Sequence, residues 1–285
     1  MTRGTELQLY PIRFRETYRK KVWGGDGFKK ILKKKGCPPK TGESLELIQQ
    51  GKETSVVAAG PLKGMTLTRL LKTWPREILG DDQSMRFSQA FPVTVKFLNT
   101  RDRLSLQVHP SDEFAQRYEI AGTGKTEMWY ILSAGKEGKV IRGVLPGTTI
   151  AEFKRHLAEG SIETCLNVMD AKEGDIIFIP PGTLHSASGD VVMLEIQQNS
   201  EITYRLHDWN RPDLNGKPRR LDVEKAMGMI DFYSMGVSKY RPSRISGYSY
   251  KRKLLIKCEK FTAEMIELEK RRIAIKGDRD RFHIL

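Results

Sequence analysis

From residue 91 onward the chain is written in short β-prone runs. Phe91–Leu98, Leu104–His109, Glu127–Leu132, Lys139–Val144, Asp175–Ile179 and Val191–Gln197 alternate with turn-rich stretches such as Ala121-Gly122-Thr123-Gly124 and Pro180-Pro181-Gly182. Short strands at regular spacing with Gly/Pro turns predict an antiparallel sandwich or barrel. A jelly roll is the version that builds a small-molecule pocket in its mouth. Two helices interrupt the series, Ser111–Ile120 with Ser111 as N-cap, and Thr149–Leu157 with Gly160 as the stop. Upstream, Leu7–Arg15, Ser44–Ile48 and Thr54–Ala59 read as strands, and Trp23–Gly27 and Cys37–Pro39 as bends. Leu67, Leu70 and Leu71 fall at helical spacing in a stretch that opens at Thr66. Downstream, Leu221–Met229 reads as a helix, 236–247 as a linker, and Lys253–Cys258 and Phe261–Leu268 as strands. Arg281–Leu285 then starts a strand that the sequence does not continue. The expectation is a mainly β chain: a domain over 1–235 with helical insertions, and a shortened β-unit over 236–285.

Composition adds little except through the placement of charge. Hydrophobic residues make up 39% and charged residues 29%, ordinary for a chain with a real core. No apolar run approaches the roughly 20 residues of a membrane-spanning helix, and Met1–Tyr10 lacks a signal-peptide layout. Cys37, Cys165 and Cys258 are far apart and form no Cys-x-x-Cys pair, so a reducing cytoplasm is the expected home. The net charge of +14 suggests a nucleic-acid partner until it is mapped. Residues 1–40 carry +9 and residues 239–285 carry +8, which leaves 41–238 at −3. Basic ends attract polyanions non-specifically at low salt. No zinc finger, RNA-recognition motif or helix-turn-helix spacing accompanies them, and no specific nucleic-acid or membrane partner is expected.

The candidate chemistry lies in that middle stretch. On the strand Leu104–His109, Ser105, Gln107 and His109 share one face, backed by Leu104, Leu106 and Val108 on the other. Such a polar row presents metal ligands inside a barrel, or else faces solvent on an edge strand. In the strand-like run Gly124–Leu132, Lys125, Glu127 and Trp129 share a face. A carboxylate set among aromatics is costly to bury unless it is paired with a cation, so Glu127 binds a metal or pairs with a lysine. In Gly174–His185, a glycine, five residues, proline-x-glycine and x-x-histidine follow in the spacing of the second cupin motif. Gln107, His109, Glu127 and His185 together suit Zn2+, and equally Mn2+, Fe2+ or Ni2+. Further on, Glu195 and Gln197 share a strand face, and Arg205 follows. A guanidinium beside a metal calls for an anion between them; a surface pair of Arg205 with Asp208 or Glu201 is the plainer alternative.

These segments resemble one family closely. Leu104-Ser105-Leu106-Gln107-Val108-His109-Pro110-Ser111-Asp112, Gly124–Leu132, Pro180–His185 and Thr203-Tyr204-Arg205-Leu206-His207-Asp208-Trp209 are similar to type I mannose-6-phosphate isomerases of the cupin superfamily. Val22–Gly25, Thr41–Glu43 and Gly60–Gly64 match the short bacterial form. The resemblance implies a cupin jelly-roll β-barrel and one Zn2+ per chain held by Gln107, His109, Glu127 and His185. It implies a hexose 6-phosphate substrate, with Arg205 acting in catalysis, Lys125 and Glu195 near the reacting carbons, and Lys96 and Ser105 holding the phosphate. It leaves a monomer or a homodimer open. Leu45 stands where many relatives carry tryptophan, and His207 replaces an aromatic position. Relatives usually continue past a segment like Phe282–Leu285.

The implied reaction moves a proton between adjacent carbons through a cis-enediolate, with Zn2+ and Arg205 stabilising the charge. Glu195 is the preferred base, and Lys125 or a zinc-bound water moves the hydroxyl proton. Two other readings share the scaffold: a zinc cupin that binds sugar phosphates without turnover, and a metal-dependent dioxygenase. The second is disfavoured because Gln107, Lys125 and Arg205 suit anion and hydroxyl recognition.

Overall fold

The computed structural model describes residues 10–81, 90–119, 122–233, 239–246, 250–268, 272–275 and 280–285. Six strands form one antiparallel sheet: β1 (Thr17–Gly25), β2 (Thr41–Leu47), β5 (Val93–Thr100), β12 (Val191–Gln198), β7 (Glu127–Ser133) and β10 (Ile176–Ile179), in that order. Between β2 and β5 the chain makes a two-stranded ribbon, β3 (Gln49–Gln50) and β4 (Glu53–Thr54). A second antiparallel sheet runs β13 (Tyr204–His207), β6 (Leu106–Val108), β11 (His185–Ser188), β8 (Lys139–Val144) and β9 (Leu166–Asp170).

The two sheets share one core. Leu98, Trp129, Ile131, Ile177, Ile179 and Met193 of the large sheet pack with Val140 and Ala187 of the small one. The site follows from strand periodicity, because side chains two apart share a face. On β7 that face reads Ile131, Trp129, Glu127; on β12 it reads Met193, Glu195, Gln197; on β5 it reads Leu98, Lys96. Each strand is apolar at one end and polar at the other, and the register aligns the polar ends: Gln197 faces Glu127, and Glu195 faces Trp129 and Lys96. The apolar core therefore gives way to a charged end on the same face of the large sheet.

The outer faces are covered separately. Phe153 of a helix at Ile150–Ala158 and Ala226 of one at Val223–Met227 cover the small sheet, together with Phe114 of the helix at Asp112–Tyr118. Leu67 and Leu71 of the helix Leu67–Thr73, with Leu79 of Pro75–Leu79, pack beside Leu47, Val93 and Val95. Phe28, in a single helical turn at Gly27–Lys30, packs against Val192 and Phe97. A third sheet, β14 (Ser243–Arg244), β15 (Lys251–Lys257) and β16 (Thr262–Glu267), lays Leu255, Ile256 and Ala263 on Met128 and Ile176.

The chain is mainly β, as its patterning requires, and Thr149 closes a full capping box with Glu152. The differences have physical causes. Residues 17–25, of which the sequence marks only the end from Trp23, as a bend, are a strand whose three consecutive cations, Arg19, Lys20 and Lys21, mask its alternation. Gly24 is required there, since a Cβ would lie 2.3 Å from the Lys40 carbonyl oxygen. β9, β11 and β13 are too short to show a period, and the last two are rich in polar groups that belong to the site. Of Thr54–Ala59, Thr54 ends β4, while Val56 and Val57 make single bridges to Thr66 and Phe14. Phe14 makes that bridge alone within the expected strand Leu7–Arg15, whose first three residues lie outside the described ones. The stretch read as a linker contributes β14 and a bridge from Tyr240 to Ile176. Its first residues and the boundary at 235/236 lie outside the described residues, as do Ile120 and Ala121.

Ile177 is fully buried in the inter-sheet core. Ile177→Ala is expected to lower the unfolding free energy by about 2–5 kcal/mol, read from a shift of the urea midpoint at unchanged slope.

Candidate metal centre

Three strand ends bring the ligands together. His109 follows β6, and its carbonyl accepts from Gly182 N at 2.9 Å, which ties it to the Pro-Pro-Gly turn. That turn delivers His185 as the first residue of β11, directly opposite Gln107. Glu127 opens β7 on the facing sheet. One donor atom from each of His109, Glu127 and His185 lies within 4.8 Å of the others. His185 Nε2 is 3.3 Å from Glu127 Oε1, His109 Nε2 is 3.5 Å from Oε2, and Gln107 Nε2 is 3.2 Å from His185 Nε2. A half-turn of the Gln107 amide puts its oxygen in that place instead.

The imidazoles are oriented from behind. His109 Nδ1 is 3.0 Å from the Ile202 carbonyl and His185 Nδ1 is 2.8 Å from the Thr183 carbonyl. A carbonyl only accepts, so Nδ1 carries the proton on each ring and Nε2 turns its lone pair inward. Burial, reinforced by the Lys125 ammonium, pushes His109 down to about 3, so the ring is neutral and able to ligate. Glu127 is fully buried, and neither carboxylate oxygen has an aligned hydrogen bond. Burial works against its charge; the Lys125 ammonium overcomes this and holds the carboxyl well below the usual range. The Lys125 ammonium lies 2.8 Å from Glu127 Oε2 and 3.0 Å from His109 Nε2. It stands in for a cation at the point where the donor atoms converge. Two imidazoles, a carboxylate with free lone pairs and an amide fit a divalent metal ion.

Beside this group a row of charges crosses the inner face of the large sheet. Lys96 Nζ is 2.8 Å from Glu195 Oε1, and Trp129 Nε1 donates to Glu195 Oε2 at 2.8 Å. Burial opposes the charge on Lys96, but Glu195, then Glu43, hold its ammonium above the ordinary lysine value. Glu43 is anchored in turn by Lys21 at 3.2 Å and Arg19 at 3.4 Å. Ser105 is buried, with Oγ 3.4 Å from Gln107 Oε1. Arg205 sits opposite Gln107 in the β13–β6 register, so both side chains share the inner face. Its Nη1 donates to the Arg220 carbonyl at 2.9 Å, while its buried Nε has no partner. The structure brings Gln107, His109, Glu127 and His185 together with Lys125 beside them. Lys96 is paired with Glu195 and Ser105 lies against Gln107, while Arg205 is opposite Gln107 in register with its side chain bonded to the Arg220 carbonyl. Leu45 is buried on β2 opposite Lys96. The His207 ring accepts from Trp209 N at 3.2 Å, and burial lowers its pKa. Sequence reasoning missed Glu43, Lys21 and Arg19 as members of the charged row; Glu43 drew notice only within Thr41-Gly42-Glu43, and its partners lie on a strand whose pattern was masked.

The family described as phosphomannose isomerase type I, catalytic domain, matches residues 12–143. Mannose-6-phosphate isomerase ManA of Bacillus subtilis is 34% identical over 228 residues, spanning 79% of this chain and 69% of that protein. The chain belongs to the type I phosphomannose isomerases. Mannose-6-phosphate isomerase of Streptococcus mutans is 32% identical over 220 residues, covering 77% of this chain and 67% of its own. The crystal structure of the Bacillus subtilis mannose 6-phosphate isomerase superposes with a TM-score of 0.81 at 30% identity, over 91% of this chain and 80% of that one. The cupin jelly roll expected from the sequence is the fold of these isomerases.

A His109 kept neutral in the fold takes up its proton only on unfolding, so the unfolded state binds more protons below its ordinary value of about 6.5. Its contribution is complete above that pH and is lost as pH falls toward about 3. Apo-protein stability is therefore expected to decline from pH 6.5 downward, with Glu127 adding to the decline only below the ordinary carboxylate range. Denaturant titrations should show a shallower decline between pH 6.5 and 5 in His109→Gln than in the parent.

Proposed function

We propose that this chain interconverts mannose 6-phosphate and fructose 6-phosphate through a cis-enediolate, with one Zn2+ held by Gln107, His109, Glu127 and His185. The observation that carries the reading is the buried Glu127 carboxylate, without an aligned hydrogen bond and paired with Lys125 at 2.8 Å, faced by two imidazoles whose Nδ1 atoms are taken by carbonyls so that both Nε2 atoms turn toward it. The names of the relatives supply the substrate class. When bound, the zinc supplies Lewis-acid polarisation of the sugar oxygens next to the migrating proton.

Mannose 6-phosphate loses the proton on C2 and fructose 6-phosphate carries it on C1, while a hydroxyl proton passes from O2 to O1. Glu195 is the base we favour for the carbon proton. Trp129 and Lys96 fix both of its oxygens, which sets its direction in the cavity. Lys125, beside the ligand cluster, carries the hydroxyl proton. Arg205 places a positive charge where the enediolate develops. Lys96 and Ser105 are the proposed phosphate contacts, which requires Lys96 to exchange part of its carboxylate pairing for the phosphate. We place the enzyme in the cytoplasm, as a monomer or a homodimer. The free Cys37, Cys165 and Cys258 fit a reducing compartment, and no helix among the described residues is long and apolar enough to cross a membrane. The C-terminal sheet is proposed as a unit distinct from the catalytic domain.

Arg205→Ala should lower turnover by roughly two to three orders of magnitude with metal content intact, measured by coupled detection of fructose 6-phosphate alongside elemental analysis. Near-normal turnover would remove Arg205 from the mechanism. Glu127→Gln, by contrast, should bring down bound zinc and activity together. A chelator should inactivate the parent, and added zinc should restore it.

A further inference from the structure

Asp208 is a buried carboxylate just past the end of β13, three residues after Arg205. Two guanidiniums converge on it. Arg219 Nε donates to Oδ2 at 2.6 Å and Arg219 Nη2 to Oδ1, a bidentate fork, while Arg211 Nη2 donates to Oδ1 at 3.1 Å. Arg211 also reaches Asp102 at 3.1 Å. So many charge-assisted bonds on one buried acid fix the segment that carries Arg219.

The residues after Arg219 run back along β13. The carbonyl of Arg220 accepts from Arg205 Nη1 at 2.9 Å, and Asp222 N donates to the Arg205 carbonyl at 2.7 Å. Residues 219–222 thus form a strap fastened at one end to Asp208 and at the other to Arg205. The Arg205 side chain depends on it: Nε is buried without a partner, and the bond from Nη1 is what holds its direction. Charge adds a second dependence. Arg205 is half-buried, and Arg219 and Arg211 are cations close enough to act against its charge, with Asp208 and Asp222 opposing them. Without the Asp208 carboxylate, three guanidiniums would share this corner with their central anion gone.

We propose that Asp208 is a positioning residue for Arg205, holding the strap whose Arg220 carbonyl aims the guanidinium and neutralising the two arginines beside it. The inference rests on the role given to Arg205 above. A residue that acts only on the developing charge of the reaction changes kcat and leaves substrate binding in place.

The test uses the zinc-loaded enzyme. Asp208→Asn should lower kcat about tenfold or more, keep KM within about twofold and retain zinc at the parental level. Asp208→Glu should recover part of the loss, since a carboxylate again reaches Arg219. Arg219→Lys keeps the charge and loses the fork; it should reproduce the Asn variant in kind and serves as the probe if that variant fails to fold. The double variant should lose little more than either single one, because both break the same fastening. A kcat within twofold of the parent in folded Asp208→Asn or Arg219→Lys, with only a lower melting temperature, overturns the proposal. So does a fall in kcat that tracks zinc loss. Should Arg205→Ala itself turn over normally, the role of Arg205 fails first, and that result is separate from the behaviour of Asp208.

Discussion

One buried negative charge organises the interior. Glu127 lies at the polar end of an otherwise apolar strand face, out of reach of water and without an aligned hydrogen bond. An isolated carboxylate cannot be kept ionised in such surroundings. The neighbour that answers its charge is the Lys125 ammonium at 2.8 Å, while two imidazoles anchored from behind by carbonyls turn their Nε2 atoms toward the same point. Lys125 meets this electrostatic demand, and the imidazole tautomers with the turn that delivers His185 leave the same point lined by donor atoms.

The fold meets it by repeating one pattern on several strands. β5, β7 and β12 each change from apolar to charged along the same face, and antiparallel register aligns the changes. The charged row from Arg19 through Glu43, Lys96 and Glu195 is continuous only because β1, β2, β5 and β12 are neighbours in space. Signs alternate along it, so each buried charge has an opposite partner beside it.

This explains what could be read from the residues alone. The ligand strands were legible because their polar positions fall two apart within apolar runs, as in Ser105-Gln107-His109 and Lys125-Glu127-Trp129. The histidine after Pro180-Pro181-Gly182 was legible from its spacing, and the mainly β class from the rhythm of strands and turns. β1 was hidden because its cations break the alternation that a half-buried strand should show, and what Arg19 and Lys21 pair with is set by tertiary neighbours. The pairing of Lys96 with Glu195 was hidden for the same reason: the two are far apart along the chain, and only sheet order makes them adjacent. In the sequence Asp208 reads only as a surface partner for Arg205; it is instead buried and paired with Arg211 and Arg219, which only folding brings to it.

β13 is the last strand on its side of the small sheet, and such a strand offers unpaired backbone groups to any other chain that meets it. The amide of Asp222 already occupies the Arg205 carbonyl on that open side. On the large sheet, Tyr240 bridges to Ile176 of the terminal strand β10 in a similar manner. Each contact takes up one position of an otherwise open margin, and the one at Arg205 also gives that arginine's backbone a fixed backing.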